Sequence, residues 1–259
     1  MLEYPQVYKK VRTFMKKIDI NNLKKIKEFL VVEGDKVDIV FSTAKDDRSF
    51  NRNTDEGLRN IESLKEDFNV NEVIYLHQTH SDNVLVFNGD AEEFREKEGD
   101  AIVTNKENVI IGAFTADCVP VILVDEVKGV IAAIHSGWKG TFNSISKKSI
   151  EKMIQEYGTK VEDIKVYIGP HIRQCCYEVS EELKEKFLNR TKIDENELFK
   201  GRNLSMERCI LEDLRSLKIE EDNIYTINLC TYCEEKIKLF SYRKSVGTYG
   251  RLFTFAYKK

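Results

Sequence analysis

The sequence is poor in the residues that mark disorder, fibrous repeats and long linkers. It has 3 prolines and 13 glycines in 259 residues, and we find no internal repeat or low-complexity tract. This composition argues against a disordered or collagen-like chain. With 41% hydrophobic and 33% charged residues, a chain of this length can bury a sizeable core. We expect one domain that covers residues 1–259.

The sequence also lacks an excess of positive charge and any long apolar run. Its net charge is −3 and its pI is about 6.0, so no overall basic field attracts a nucleic-acid backbone. Residues 1–17 carry scattered charges without the apolar core of a signal peptide, and no later run has the length to cross a bilayer. We expect a cytoplasmic protein without nucleic-acid or membrane partners.

The cysteines of this sequence do not indicate a disulfide-bonded protein. The six cysteines are Cys118, Cys175, Cys176, Cys209, Cys230 and Cys233. Without an export signal, they predict reduced thiols that serve metal binding, reactivity or packing. The stretch CTYC is a lone CxxC, and its partners Cys175 and Cys176 are adjacent, which is awkward for tetrahedral binding. Packing is therefore the favoured interpretation of these four residues, with redox chemistry as the weaker one.

Hydrophobic periodicity predicts both strands and helices, which do not alternate strictly as in a series of βαβ units. Strands are predicted at residues 36–43, 71–77, 82–87, 108–114, 119–125, 129–136, 163–169, 223–229, 238–243 and 251–257. Helices are predicted at residues 55–68, 141–158, 180–189 and 205–217, with Thr141 as N-cap and Gly158 as C-cap of the second. The pattern predicts an α+β fold with layered mixed sheets rather than a doubly wound parallel sheet.

Residues 116–140 have the pattern of a β-hairpin. With the turn at residues 126–129, Pro120 lies opposite His135 in the paired strands. Because side chains alternate between faces, Cys118 shares the face of Pro120 and lies diagonally from His135, at roughly 7–8 Å between backbones. The hairpin therefore predicts a thiol and an imidazole within reach of a shared ion.

A thiolate and an imidazole suit zinc or copper better than magnesium or calcium. His80 is the natural third ligand, and three Cys and His ligands leave one tetrahedral position open, which is typical of a catalytic zinc site. His77 is three residues away in a segment with strand character, so it points elsewhere and lines a pocket at most. In the alternative interpretation, Cys118 packs as a small apolar residue and the histidines form hydrogen bonds.

Three cationic residues are candidates for substrate binding. Lys139 lies in HSGWKGT (135–141), where a turn before a helix can bind an anion or form a plain N-cap. Arg243 and Arg251 flank a glycine-containing segment and can hold phosphate or stack on a base. Surface charge is the alternative for both arginines.

The motifs together resemble a known family. They are HQTH (77–80), GDAIVT (99–104), TADCVPVILVD (115–125), AAIHSGWKG (132–140), IGPHIRQCCYEV (168–179) and CTYC (230–233), followed by FSYR and GR. They resemble the YfiH-type family, long labelled multicopper polyphenol oxidase or laccase-domain proteins and more recently described as purine nucleoside phosphorylases with adenosine deaminase activity. The resemblance implies an αββα sandwich of helices around two mixed sheets, with zinc ligands at His80, Cys118 and His135.

The resemblance also implies an activity. The family is described as splitting adenosine, inosine, guanosine and methylthioadenosine with phosphate, to a free base and ribose 1-phosphate, and as deaminating adenosine. Our catalytic candidates are Cys118, His135 and Asp117, with Glu178 as a further proton carrier, and our substrate-binding candidates are Lys139, Arg243 and Arg251. We expect a small-molecule substrate, a bound zinc ion or copper in the same site, and a monomer or homodimer.

Two positions depart from the family pattern. Ala44 follows FST, where the family usually carries a substrate-contacting arginine, and Arg48 is a nearby substitute. His171 follows IGP, where a small residue or cysteine is more common. Ala44 leaves undecided which residue contacts the substrate in place of the arginine. We expect His171 to alter the pocket or to add a proton-transfer group.

Three other functions stay open at this point. A multicopper oxidase needs several histidine-rich copper centres, and the 4 histidines of this sequence cannot build them, although one copper ion can take the zinc ligands. A cysteine hydrolase would use Cys118 as nucleophile and His135 as base. A role in cell-wall precursor metabolism is the third alternative. Metal content and phosphate-dependent base release discriminate between these functions.

Overall fold

The computed structural model describes residues 15–245 and 249–259. The strands are β1 (Lys16–Lys17), β2 (Lys24–Ile26), β3 (Phe29–Val32), β4 (Val37–Ser42), β5 (Glu72–Ile74), β6 (Val84–Val86), β7 (Ala101–Thr104), β8 (Val109–Thr115), β9 (Val119–Asp125), β10 (Val130–Ser136), β11 (Ile164–Ile168), β12 (Phe199–Lys200), β13 (Asn203–Leu204), β14 (Ile224–Thr226) and β15 (Leu252–Lys258). The helices are α1 (Asp55–Glu62), α2 (Leu64–Phe68), α3 (Ala91–Arg95), α4 (Trp138–Phe142), α5 (Ile145–Tyr157), α6 (Glu181–Arg190), α7 (Glu195–Leu198) and α8 (Met206–Ser216). Residues 1–14 lie outside the described residues, so the single domain over 1–259 stays a prediction.

Two mixed sheets organise the described chain. The larger has seven strands in the order β1-β14-β11-β9-β10-β7-β6, and the smaller has six in the order β2-β3-β4-β15-β8-β5. Strands β11 and β14 are parallel neighbours, whereas β9 is antiparallel to both β10 and β11. The structure therefore confirms mixed sheets rather than a doubly wound parallel sheet.

Three apolar cores separate four layers of secondary structure. The first lies between the larger sheet and helices α5 and α8, the second lies between the two sheets, and the third lies between the smaller sheet and helices α1 and α2. Strand β9 shows how the sequence produces this arrangement, because Val121 and Leu123 enter the first core while Ile122 and Val124 enter the second. The α+β class and the αββα sandwich are confirmed.

The hairpin register is the one that the sequence predicts. Asp125 pairs with Val130 across β9 and β10, and Pro120 pairs with His135. Gly129 completes the turn with a φ of +66°, a conformation that favours glycine. The pairing places Cys118, one residue before β9, beside the end of β10.

The second predicted helix begins earlier than expected and is broken. Thr141 lies inside α4 rather than at an N-cap, because its buried hydroxyl forms a 2.8 Å hydrogen bond with the hydroxyl of Ser136. Ser144, with a φ of +59°, separates α4 from α5. Gly158 ends α5 with a φ of +65°, as predicted.

Two further expectations need correction. The predicted helix at residues 55–68 is interrupted at Ser63, which ends α1 and precedes α2. Residues 238–243 form no strand, because they bond to other parts of the chain: the Lys238 carbonyl accepts the N–H of Ala44, and the N–H of Arg243 donates to Asp117. In the described part of the chain, no helix has the length and apolar character to cross a membrane.

Arg48 lies where α1 ends and α2 begins, and its guanidinium donates a 2.7 Å hydrogen bond to the Ser63 hydroxyl. Its guanidinium contacts the carboxylates of Glu28 at 2.5 Å and Asp67 at 3.2 Å, and it lies over the Phe29 ring at 5.5 Å. The two carboxylate side chains are only 5% and 8% exposed. Arg48 is therefore engaged in a buried ion-pair network, and Ala44 itself is fully buried.

We predict that Arg48→Met lowers the free energy of unfolding by about 3 kcal/mol, because it leaves two buried carboxylates without their guanidinium partner. Denaturant unfolding measures this loss. Arg59→Met, on the exposed face of α1, is the matched control and should stay within about 0.5 kcal/mol of the parent. Equal stabilities of the two variants would contradict the network.

Candidate metal centre

Three predicted ligands meet at one end of the larger sheet. One ligand atom each from His80, Cys118 and His135 lies within 4.8 Å of the others. The Cys118 sulfur is 3.9 Å from Nε2 of His80, and the two imidazole rings are 4.8 Å apart at an angle of 86°. His80 comes from the loop between β5 and β6, Cys118 precedes β9, and His135 lies in β10. The fold therefore forms a possible His/Cys/His metal site.

The buried carboxylate of Asp100 holds this arrangement in place. Its Oδ1 accepts hydrogen bonds from Nδ1 of His135 at 2.7 Å and from the N–H of His80 at 3.1 Å. Its Oδ2 accepts bonds from both the N–H and the hydroxyl of Ser81, each at 2.6 Å. Asp100 is 2% exposed. With Nδ1 of His135 occupied, its Nε2 is the nitrogen left for an ion, an arrangement typical of metal-binding histidines.

Asp100 belongs to the candidate site but was not predicted from the sequence. It lies in the GDAIVT motif, one residue before β7, and β7 pairs with the strand that carries His135. An aspartate directly before a fully buried strand was the available signal. Its link to His135, 35 residues further along, depends on the order of the strands.

The charges of the site act on one another. Burial lowers the pKa of His135, but the Cys118 charge and the hydrogen bond to Asp100 outweigh it and raise that pKa to about 9. Burial raises the pKa of the Cys118 thiol, but His135 and His80 lower it to about 6. Without a metal, the two opposite shifts favour a thiolate–imidazolium pair. The thiolate is also the form of cysteine that binds metal.

Gly137 supports the fit of an ion among the three ligands. A Cβ at this position would lie 2.9 Å from Cδ2 of His80 and 3.2 Å from the Cys118 sulfur, so any side chain would displace them. Typical zinc–ligand distances place the ligand atoms of a tetrahedral ion roughly 3.3–3.8 Å apart. The observed spacing and the sulfur and nitrogen donors suit zinc or copper.

A cavity of about 500 Å³ opens beside the three ligands. Its wall includes His80, Cys118 and His135, so a fourth coordination position has access to it. Aromatic and cationic side chains form other parts of the wall: Phe114, Trp138, Tyr242, Tyr249, Arg52 and Arg251. The volume is within the range of small-molecule sites.

The predicted substrate-binding cations lie in different places. Arg251 lines the cavity, where it lies 4.1 Å from the ring centre of Tyr249 and donates a 2.8 Å hydrogen bond to its hydroxyl. Lys139 lies over the Trp138 ring at 5.6 Å, outside the cavity wall. Arg243 is also outside the wall and donates to a backbone carbonyl at 2.9 Å. Only Arg251 of the three joins the candidate site.

Arg52 was not singled out from the sequence, although it lines the cavity. Within residues 15–245 and 249–259, its guanidinium has no hydrogen-bond or ion-pair partner. An arginine without a protein partner is available to an anionic ligand. With Arg251, it makes the cavity a candidate site for phosphate.

Asp117 and Glu178, the proposed proton carriers, have different surroundings. Asp117 lines the cavity, but its two oxygens accept bonds from the Thr231 hydroxyl at 2.6 Å and the Arg243 N–H at 2.7 Å. Its φ of +96° is unusual for a residue with a side chain. Glu178 pairs with Arg202 at the surface, away from the cavity wall. Their catalytic roles stay predictions.

The two remaining histidines lie outside the ligand set. His77 is exposed and lines the cavity, as expected for a pocket residue. His171 is buried, with its Nδ1 2.9 Å from the Gly169 carbonyl and its Nε2 3.5 Å from the Glu207 carboxylate. Burial lowers the pKa of His171, which favours its neutral form. The pair in HQTH therefore splits into one candidate ligand and one pocket residue.

The chain belongs to the multi-copper polyphenol oxidoreductase laccase family, whose model matches residues 45–259. This match confirms the resemblance that the motifs indicate. A relative from Clostridium acetobutylicum, named purine nucleoside phosphorylase, is 47% identical over 240 residues, which are 92% of this chain and all of the relative. A relative from an unknown prokaryotic organism, named adenosine deaminase RL5, is 34% identical over 73% of this chain and 76% of its own length.

Solved structures agree with the fold. The Bacillus licheniformis hypothetical protein YfiH has a TM-score of 0.82 at 24% identity, over 90% of this chain and 97% of its own. YlmD from Geobacillus stearothermophilus has a TM-score of 0.79 at 19% identity, over 91% and 98%. At these identities, the structures support the fold alone.

We predict that Asp100→Asn weakens zinc binding by roughly 10–100-fold, because the amide removes the charge that fixes His135 and one of the acceptors that shape the His80 loop. Competition with a chromophoric chelator measures the affinity. Asp125→Asn is the matched control, since Asp125 is also buried but lies at the far end of the hairpin, where it accepts the Lys128 N–H. Unchanged zinc affinity in Asp100→Asn would contradict the orienting role.

Proposed function

We propose that this chain is a zinc-dependent purine nucleoside enzyme. It splits adenosine, inosine, guanosine and methylthioadenosine with phosphate and deaminates adenosine. The relatives named purine nucleoside phosphorylase and adenosine deaminase support a purine nucleoside as the substrate. The observation that carries the proposal is the His80, Cys118 and His135 cluster on the wall of a 500 Å³ cavity that also contains two arginines.

The cavity offers a surface for each part of a nucleoside. Tyr242, Tyr249 and Trp138 can stack on a purine base, which presents a large aromatic face. Arg52 and Arg251 can hold phosphate against the sugar, because guanidinium groups bind phosphate oxygens in pairs. The cavity volume of about 500 Å³ leaves room for the nucleoside and phosphate together.

Phosphorolysis requires a phosphate oxygen to form a bond with C1′ of the ribose while the bond from C1′ to the purine nitrogen breaks. The base leaves with a proton on nitrogen, and the two arginines balance the charge of the incoming phosphate. Deamination instead adds a water oxygen to C6 of adenine, and ammonia departs from the same carbon. Asp117 is our candidate for moving protons in these steps.

A zinc ion held by His80, Cys118 and His135 supplies Lewis-acid chemistry at the cavity wall. Asp100 fixes the tautomer of His135 and the position of the His80 loop. Copper can take the same ligands, but His77 and His171 lie outside the cluster, so the 4 histidines of the sequence do not assemble several copper centres. The cluster therefore offers ligands for a single copper ion, which is fewer than a multicopper oxidase needs.

A cysteine hydrolase is the second candidate, and one observation favours it. Asp100, His135 and Cys118 form a line of acid, base and thiolate, and the low pKa of Cys118 suits a nucleophile. His80 against the same sulfur favours a metal instead. Metal bound at this cluster decides, because an ion held by His80, Cys118 and His135 occupies the thiolate.

Incubation of adenosine with protein of measured zinc content tests both proposed reactions. Without phosphate, adenosine gives inosine, and with phosphate it also gives adenine and ribose 1-phosphate; chromatography separates them. Cys118→Ala should abolish both reactions, because it removes a candidate ligand. Adenine release that does not depend on phosphate would contradict phosphorolysis, and absence of inosine from the phosphate-free reaction would contradict deamination.

Arg52→Gln should separate the two reactions. We expect the KM for phosphate to rise roughly tenfold or more, since the loss of one charged hydrogen bond costs about 1.5–3 kcal/mol. Deamination needs no phosphate and should keep its rate. Arg59→Gln, outside the cavity wall, is the matched control that leaves both reactions unchanged. An unchanged KM for phosphate in Arg52→Gln would contradict the assignment of the phosphate site.

A further inference from the structure

A second cluster of potential metal ligands lies away from the cavity. The sulfur atoms of Cys175, Cys176, Cys230 and Cys233 all lie within 4.8 Å of one another. The sulfurs of Cys175 and Cys233 are 3.7 Å apart. The sequence interpretation, in which these residues serve packing, does not explain why four thiols from two distant segments converge on one point.

The fold brings the two segments together. Residues 174–176 and 230–233 follow β11 and β14, which are parallel neighbours, so their carboxyl ends meet at the same edge of the sheet. Adjacent cysteines in a strand would point to opposite faces. Cys175 and Cys176 instead lie in a turn, in which the N–H of Cys176 donates to the Arg173 carbonyl at 2.8 Å. The turn lets both sulfurs face CTYC.

Backbone donors also converge on the cluster. The N–H of Arg173 points at the Cys230 sulfur at 3.5 Å, and the N–H groups of Tyr232 and Cys233 face the same sulfur. Three N–H groups directed at one sulfur suit a thiolate better than a neutral thiol.

We propose that Cys175, Cys176, Cys230 and Cys233 bind a structural zinc ion in a tetrathiolate site. Four sulfur donors complete the tetrahedral shell of zinc and leave no position for substrate, in contrast to the three-ligand centre at the cavity. Magnesium and calcium prefer oxygen and do not suit this donor set. Cys175 and Cys233 are exposed, so an ion has access from solvent.

The tetrathiolate site supports the loop that carries Cys118. The Ile172 N–H, three residues before Cys175, donates to the Asp117 carbonyl at 2.9 Å. Thr231, inside CTYC, donates its hydroxyl to the Asp117 carboxylate at 2.6 Å. Both segments of the proposed site therefore hold the residue before Cys118. The inference is independent of the reaction at the cavity, because it concerns metal content and architecture.

Zinc content in a Cys118→Ala background tests this proposal without interference from the cavity. Protein purified under reducing conditions should retain one zinc ion per chain in Cys118→Ala and none in Cys118→Ala/Cys233→Ser. Cys118→Ala/Cys209→Ala is the matched control, since Cys209 is a buried cysteine of α8 outside the cluster, and it should retain its zinc ion. Absence of zinc from Cys118→Ala overturns the proposal.

Two further measurements guard against a variant that merely misfolds. Cobalt added to metal-free Cys118→Ala should give the intense thiolate charge-transfer absorption of a tetrathiolate site, and its absence overturns the proposal. Alkylation of denatured parent protein should modify all 6 cysteines. Modification of Cys118 and Cys209 alone would show two disulfides in the cluster and would also overturn it.

Discussion

The carboxylate of Asp100 is the group on which the candidate metal centre depends. Burial of a charge is costly unless hydrogen bonds compensate it, and Asp100 receives them from His135 and from the loop of His80 and Ser81. These bonds join β10 to the loop that contains His80. They also hold His80 at a φ of +58°, a conformation that is uncommon for residues other than glycine. These bonds hold the two candidate histidine ligands close together.

A second buried carboxylate acts on the other side of Cys118. Asp117 bonds to Thr231 and to the segment of Arg243, which lie far along the chain. Asp100 thus fixes the two histidines, and Asp117 fixes the thiol. The two acids explain why a site with one ligand in a strand and two in loops is held as one unit. The family name refers to several copper ions, whereas the described residues bring together one His/Cys/His cluster, which lies beside a cavity.

The sequence predicted what depends on local pattern. Continuous apolar runs predicted β9 and β10, and the position of the turn predicted their register, which brings Cys118 close to His135. Contacts between distant segments were missed, because no local pattern links Asp100 or Arg52 to the cavity. Residues 238–243 have strand character, but their backbone bonds to side chains and loops instead of a neighbouring strand. The closeness of the Cys175 and Cys233 sulfurs was not predicted, because it depends on the turn that contains Cys175.

The central claim is that the fold holds one metal ion between His80, Cys118 and His135. Anomalous diffraction at the zinc absorption edge, from crystals of the parent protein, tests it most directly. We predict a peak about 2.0–2.3 Å from Nε2 of both histidines and from the Cys118 sulfur, with Nδ1 of His135 still bonded to Asp100. A zinc-replete crystal without a peak among these three residues would contradict the account.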